Sequence, residues 1–424
     1  MVKALLFVTA LTSLGAAHGD DLRREVETLV RQLDAPRLAA REAAEETLLA
    51  IGPEALAALP EPGPQHSAET RQRLARVRQA LQAEVAAQAA RASRVTLRGE
   101  GMPLAEVFEA IERQTGNRIA RDRRAMPPAV EGVTVDADWE DVPFWTALDE
   151  ALDQAELTVY PFAEEDEAVT VVPRFGEVAP RSGRAVVSGP FRLEVLRVSA
   201  TRSLRDSDED SLRIVLEVAW EPRLNPISLR QAVADVAAVD DAGRPLAFRA
   251  PGATLEVPVN RRSTAVELNL PLALPERDVR SIAELRGSLA ALLPGAAASF
   301  RFAELPEARN VEQRIGETTV TLEEIRRNND LWEVRMAVRF DEAGVALESH
   351  RGWIYDNPAI LERADGEPLA PLATNTTRRL PNEIGLAYLF PGEHPIEEST
   401  FVYRTPTALL PAAFDYEFTD VPLP

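Results

Sequence analysis

Asp206, Asp208 and Asp210 stand at alternate positions in Asp206-Ser207-Asp208-Glu209-Asp210-Ser211, the segment of this chain whose spacing comes nearest to a metal-binding loop. Calcium takes about six to eight oxygens, and an EF-hand loop needs a glycine at its sixth position and a distal glutamate. Ser211 stands where that glycine would be, and the run joins two expected strands rather than two helices. It reads as an exposed acidic hairpin tip, with these three aspartates as the metal-ligand candidates. A second run, Glu164-Glu165-Asp166-Glu167, reads as solubility and edge protection between strands. His66, His350 and His394 fall in three separate segments, a proline-rich loop, a strand flank and a Gly-Glu-His-Pro turn. None has the i, i+4 spacing of a helical metal pair. They read as polar loop histidines, and no metal site is expected from them.

Other chemistries are excluded by what the chain lacks. Without cysteine there is no disulfide, thiolate zinc site, cysteine nucleophile or cysteine-linked lipid. Lys3 is the only lysine, so lysine chemistry is excluded from the rest of the chain. No Gly-x-Ser-x-Gly elbow occurs, and Gly99-Glu100-Gly101 lacks the remainder of a dinucleotide fingerprint. With 68 acidic residues, carboxylate pairs arise by number alone. The expectation is a non-enzyme with no catalytic residue, no cofactor-binding residue and no cofactor. A net charge of −21 argues against nucleic acid, whose phosphates require clustered cations. Trp220 and Trp332 sit at strand positions that read as core, and so does Trp353, for which a sugar or peptide contact is the alternative.

The elements that must carry these residues begin with a leader. Residues 1–19 read as a secretory signal peptide: Lys3 supplies the positive end, Ala4 to Leu14 the apolar stretch, and Ala17-His18-Gly19 the small-residue cleavage site. The expectation is an exported protein, periplasmic or extracellular, with no membrane span after cleavage. Residues 20–92 are helical in pattern. Asp34 is the expected N-cap before Pro36, Gly52-Pro53 a break, and Ser67 the cap of a last helix. Arg71, Arg73, Arg76 and Arg78 read as a solvated face. Arg41-Glu42-Ala43-Ala44, Leu48-Leu49, Gly52 and Ala57-Leu59 together resemble a HEAT-like repeat. They cover about one and a half units, short of the roughly three a solenoid needs, so a helical cap or docking arm is expected.

Residues 93–175 follow one plan twice. Val95-Thr96-Leu97, Met102-Pro103-Leu104 opening a helix that ends at Gly116, and Arg118-Ile119-Ala120 make the first pass. Val133-Thr134-Val135, Val142-Pro143-Phe144 opening a second helix, and Leu157-Thr158-Val159-Tyr160 make the second; Ala168 to Val172 is a last strand. The pattern predicts two helices on one face of a small sheet. With Gln114-Thr115-Gly116 and Leu148, these units resemble the short N-terminal domain of secretins and TonB-dependent receptors. The resemblance implies a protein-interaction and ring-forming module, one that allows homo-oligomers, rather than a catalyst. No secretin pore or barrel follows, so the secretion role is not implied.

Beyond this the chain alternates with period two and repeats itself at an offset of about 120 residues. Ser211–Trp220 parallels Leu331–Phe340, Asp241-Ala242-Gly243-Arg244-Pro245-Leu246 parallels Ala364-Asp365-Gly366-Glu367-Pro368-Leu369, and Ala291-Leu292-Leu293-Pro294 parallels Ala408-Leu409-Leu410-Pro411. Two tandem antiparallel β-sandwiches are expected, at 186–307 and 308–424, the second a duplicate of the first. The fold class is thus multidomain α+β: a helical segment, a βαβ-βαβ module and two sandwiches. The expected function is protein–protein interaction or scaffolding with an unidentified protein partner in the cell envelope, through the secretin-N-like module, by strand addition at its sheet edge, and through the tandem β-sandwiches, which supply reach. The alternatives are a carbohydrate- or calcium-dependent adhesion module and an unrecognised hydrolase.

Overall fold

The computed structural model describes residues 11–60, 65–121, 132–161, 167–174, 182–259, 263–295, 297–341, 347, 352–364, 366–393 and 395–424. Met1 to Ala10 of the expected leader, His350 and His394 lie outside them. The protein is mixed α+β, with several antiparallel sheets and no closed barrel. No helix among the described residues is long and apolar enough to cross a membrane. The chain divides into two units. One comprises Met1–Gln88, Gly295–Ala343 and Pro358–Ala408; the other comprises Ala89–Pro294, Gly344–Asn357 and Leu409–Pro424.

In the first unit, α1 (Leu11–Gln32), α2 (Leu38–Ile51), a 3-10 turn at Pro53–Ala57 and α3 (Ala68–Ala89) enclose Val26, Leu33, Leu48, Leu74, Val77 and Leu81. Ser67 caps α3 as expected: its Oγ accepts from the Thr70 amide at 3.2 Å. Asp34 does not cap α2, which begins at Leu38 after Arg37 and has no side-chain cap. Its carboxylate instead accepts from Ser67 Oγ at 2.7 Å and Thr70 Oγ1 at 3.1 Å, tying the end of α1 to the start of α3. These bonds hold its carboxyl below the usual range. Ser67→Ala should therefore lower the unfolding free energy of this helical segment by about 1 kcal/mol, measured by urea titration of helical circular dichroism. The arginines of α3 are not a uniformly solvated face. Arg73 and Arg78 are buried: Arg73 pairs with Glu45 and Glu69, and Arg78 donates to the Leu59 carbonyl. The preceding helix and turn cover that face, which sequence periodicity within α3 cannot reveal.

Two sheets complete this unit. One has the order β14 (Ala297–Phe302), β22 (Thr400–Pro406), β18 (Ala359–Glu362), β19 (Pro368–Leu369). The other has the order β15 (Arg309–Ile315), β16 (Thr318–Asn328), β17 (Leu331–Phe340), β21 (Glu383–Pro391), β20 (Ala373–Arg379). Tyr388 and Phe390 of β21 meet Phe401 and Tyr403 of β22, so the two sheets share a core. Trp332 is half-buried rather than core, with the Arg327 guanidinium 5.4 Å from its ring.

The second unit opens with β1 (Arg94–Pro103), α4 (Leu104–Thr115), β2 (Arg118–Arg121), β3 (Thr134–Pro143), α5 (Phe144–Gln154), β4 (Leu157–Tyr160) and β5 (Ala168–Pro173). The two passes correspond at an offset of 40 residues, down to the positive φ of Gly101 and Asp141 and of Gly116 and Glu156. They do not build one sheet. β1 and β3, each ten residues long, pair with one another, while β2, β5 and β4 form a separate three-stranded sheet. Phe144, Trp145, Ala147, Leu148, Ala151 and Leu152 are buried on α5, and Leu104, Val107, Phe108 and Ile111 on α4; Ala219 and Ala265, further along the chain, join the same core.

The rest of the unit is a sheet of order β12 (Ala265–Leu272), β8 (Ser211–Trp220), β7 (Phe191–Thr201), β6 (Ala185–Ser188). It packs on a second sheet, of order β10 (Val236–Asp240), β13 (Ser281–Pro294), β9 (Ser228–Ala232), β11 (Thr254–Pro258), around a common core. β7 and β16 carry bulges at corresponding places, between Val195 and Arg197 and between Leu322 and Glu324. The turns at Asp240–Arg244 and Arg363–Glu367 match as well. Each is closed by an i, i+4 ion pair, with acid and base exchanged between them.

The expected boundary at 307/308 is corrected. The last strand, β23 (Leu409–Pro422), pairs with β13 in the second unit along its whole length, whereas β14, which follows β13, pairs with β22 in the first. Each half of the repeat thus gives its final strand to the other. The connections Gly295-Ala296 and Thr407-Ala408 lack the Asn-Gly or Asp-Gly pair that would fold a strand back into a tight hairpin.

Candidate functional site

A cluster of buried charged groups lies where the α/β module meets the first sheet of its own unit. β7 and β8 turn Phe191, Leu193, Leu216 and Val218 into the core, so alternation puts Arg192, Glu194 and Glu217 on the other face. That face is covered: Ala219 of β8 and Ala265 of β12 belong to the core of the α/β module. Arg192 reaches Asp149 of α5 at 2.7 Å, Glu217 at 3.0 Å and Glu194 at 3.6 Å, and its guanidinium lies 5.1 Å from the Trp145 ring. Its Nε has no hydrogen-bond partner. Burial opposes the charge of Arg192, and the three carboxylates more than offset it, so it stays protonated. Glu217 stands directly opposite Glu194 on one side and Glu267 on the other. Desolvation pushes its carboxyl up; Arg192 opposes this, and the two glutamates add to it.

A second cluster fixes the same junction. Glu221 is fully buried. Its Oε1 accepts from the Ser93 amide at 2.9 Å. Its Oε2 accepts from Ser93 Oγ at 2.7 Å, Asn117 Nδ2 at 3.0 Å and Arg223 Nε at 2.6 Å. Asn117 Oδ1 in turn accepts from the Arg223 amide. Trp145 Nε1 donates to the Pro190 carbonyl at 3.1 Å. The arrangement joins β1, the end of α4, α5 and the first sheet. Every carboxylate oxygen of Glu221 is engaged by donors, which suits it to holding parts together rather than to moving a proton.

The edges of the α/β module are closed as well. Gln114 gives and takes a hydrogen bond at Thr96 on β1, and Gln154 does the same at Asp136 on β3, each side-chain amide standing in for a neighbouring strand. Glu112 accepts from the Ile119 amide on β2. On β4, Arg174 Nε donates to the Leu157 carbonyl, and just beyond it the Pro161 carbonyl accepts from the Thr264 amide. Strand addition at this module, the contact expected from the sequence, would meet these side-chain bonds at Thr96, Asp136, Ile119 and Leu157.

The aspartate run forms the tip between β7 and β8, as expected, with Asp206, Asp208 and Glu209 exposed and the loop held by local hydrogen bonds. Asp206 accepts from the Asp208 amide, Asp210 accepts from the Ser203 amide and pairs with Arg202 at 3.5 Å, and Arg249 donates to the Asp208 and Asp210 carbonyls. Among the described residues no group of three or more His, Asp or Glu side chains is placed to hold a metal ion. An open cavity of about 490 Å³ lies over Val236, Gly287 and Tyr416. The Tyr416 hydroxyl donates to Gln231 Oε1 at 3.1 Å, and burial pushes its acidity down. Compared with protein-family models, curated proteins and solved structures, the chain matches none.

Sequence reasoning did not single out Arg192, Glu217, Glu221 or Asn117. Arg192 and Glu217 occupy the polar half of an ordinary strand alternation, and nothing local tells a polar face open to water from one covered by another module.

Proposed function

We propose that this is a non-enzymatic, exported cell-envelope protein that acts as a scaffold or interaction component. In this reading it comprises a HEAT-like helical segment, a secretin-short-N-terminal-like module and two duplicated β-sandwiches. The observation that carries it is the junction: Glu221, Arg192 and their partners are spent on locking the α/β module to the adjacent sheet. A rigid composite of this kind favours presentation of a fixed surface over turnover. The partner surface in this reading is the exposed face of the α/β module, which carries Glu109 and Tyr160. Photo-crosslinking residues placed at exposed Glu109 and Tyr160, in the full-length protein expressed in cells, test this. Discrete adducts from these positions and none from exposed Leu372 are expected. Absence of any adduct at Glu109 and Tyr160 would count against it.

A further inference from the structure

We propose that the junction between the α/β module and its sheet is a proton-sensitive joint, closed more tightly in mild acid than at neutral pH through Glu217. This goes beyond the scaffold reading and does not depend on it. The geometry sets two cations, Arg192 and Arg197, among four carboxylates. Asp149 comes from α5, Arg192 and Glu194 from β7, Glu217 from β8 and Glu267 from β12; the Ser182 amide donates to Glu194, and Arg197 lies 4.0 Å from Glu267. Three carboxylates share Arg192. Glu194, Glu217 and Glu267 stand side by side on adjacent strands, where like charges repel. Glu217 is in the middle of the row and is the most crowded of the three.

The sign follows from linkage. Folding raises the proton affinity of Glu217 above its ordinary value of 4.5, chiefly by desolvation. Proton binding therefore favours the closed joint. That contribution is complete below the unfolded value and is lost as pH rises through the folded one. Carboxylates whose values are depressed, such as Asp34, act in the opposite direction and only at lower pH. The Glu217 contribution is thus opposite in sign to that of the depressed carboxylates.

Native-state hydrogen exchange on the full-length protein reads the joint at the amides of α5 and β7. The opening constant, corrected for intrinsic exchange chemistry, should fall as pH drops from 7.5 towards the ordinary glutamate value of 4.5, by at most about tenfold per unit for one proton. Glu217→Gln should show acid-like protection at pH 7.5 and no slope. Glu267→Gln removes a repelling charge at an exposed position without touching Arg192, and it should flatten the slope in part; this variant decides the matter if Glu217→Gln fails to fold. An unchanged opening constant in the native protein across this range overturns the proposal. So does a full slope retained in Glu217→Gln, or in Glu267→Gln where that variant stands alone.

Discussion

Deleting Leu409–Pro424 should unfold the unit that contains residues 89–294, more than a hundred residues earlier in the chain, and leave the sheets of β14–β22 in place. β23 supplies Phe414, Tyr416, Phe418 and Val421 to the core shared by β7, β8, β9 and β13. Burial of such side chains is worth about 1.5–3 kcal/mol each. The four together represent about 6–12 kcal/mol, comparable to the whole stability of a domain at about 5–15 kcal/mol. The long edge of β13 would also lose its partner from Ser281 to Pro294. Limited proteolysis with mass spectrometry provides the check. Cleavage across 185–294 with protection of 318–340 is the expected result. Loss of protection confined to residues 308–408 would mean that β23 serves the second sheet pair instead.

Glu221→Ala should destabilise the same unit by about 3–5 kcal/mol, the usual consequence of removing one member of a buried charged network. Ser93, Asn117 and Arg223 would be left with donors facing a cavity, and each unsatisfied buried group carries its own desolvation penalty. Glu221→Gln keeps the volume and sets an amide N–H against donors, so it should recover only part of the loss. Urea unfolding followed by tryptophan fluorescence, to which Trp145 contributes, measures both. Trp145 is fully buried and bonded to the Pro190 carbonyl, within the junction that Glu221 holds. A midpoint for Glu221→Ala unchanged from the native protein would contradict the assignment of this residue as the fastener.

Local sequence determined the elements. The period-two runs at Ser211–Trp220 and Leu331–Phe340 coincide with β8 and β17 as drawn from the alternation of their side chains. Ser67 and Gly116 mark a helix start and a helix end for reasons contained within a few residues: a hydroxyl that accepts an orphan amide, and a backbone that tolerates positive φ. The two passes of the α/β module were legible because each repeats its own turn and helix signals. Tertiary structure alone decided which elements pair. A strand carries its alternation but no address for its neighbour, so the exchange of β14 and β23 between the halves of the repeat left no mark in either strand. The same holds for the polar faces. Arg192 and Glu217 look like any water-facing strand residues until the α/β module covers them, because burial belongs to the pair of surfaces and not to the residue. Arg73 and Arg78 on α3 were misread for the same reason. The sequence therefore carries a helical segment, an α/β plan that runs twice and a series of alternating strands; the joint between modules, with its charge imbalance, exists only once the chain is folded.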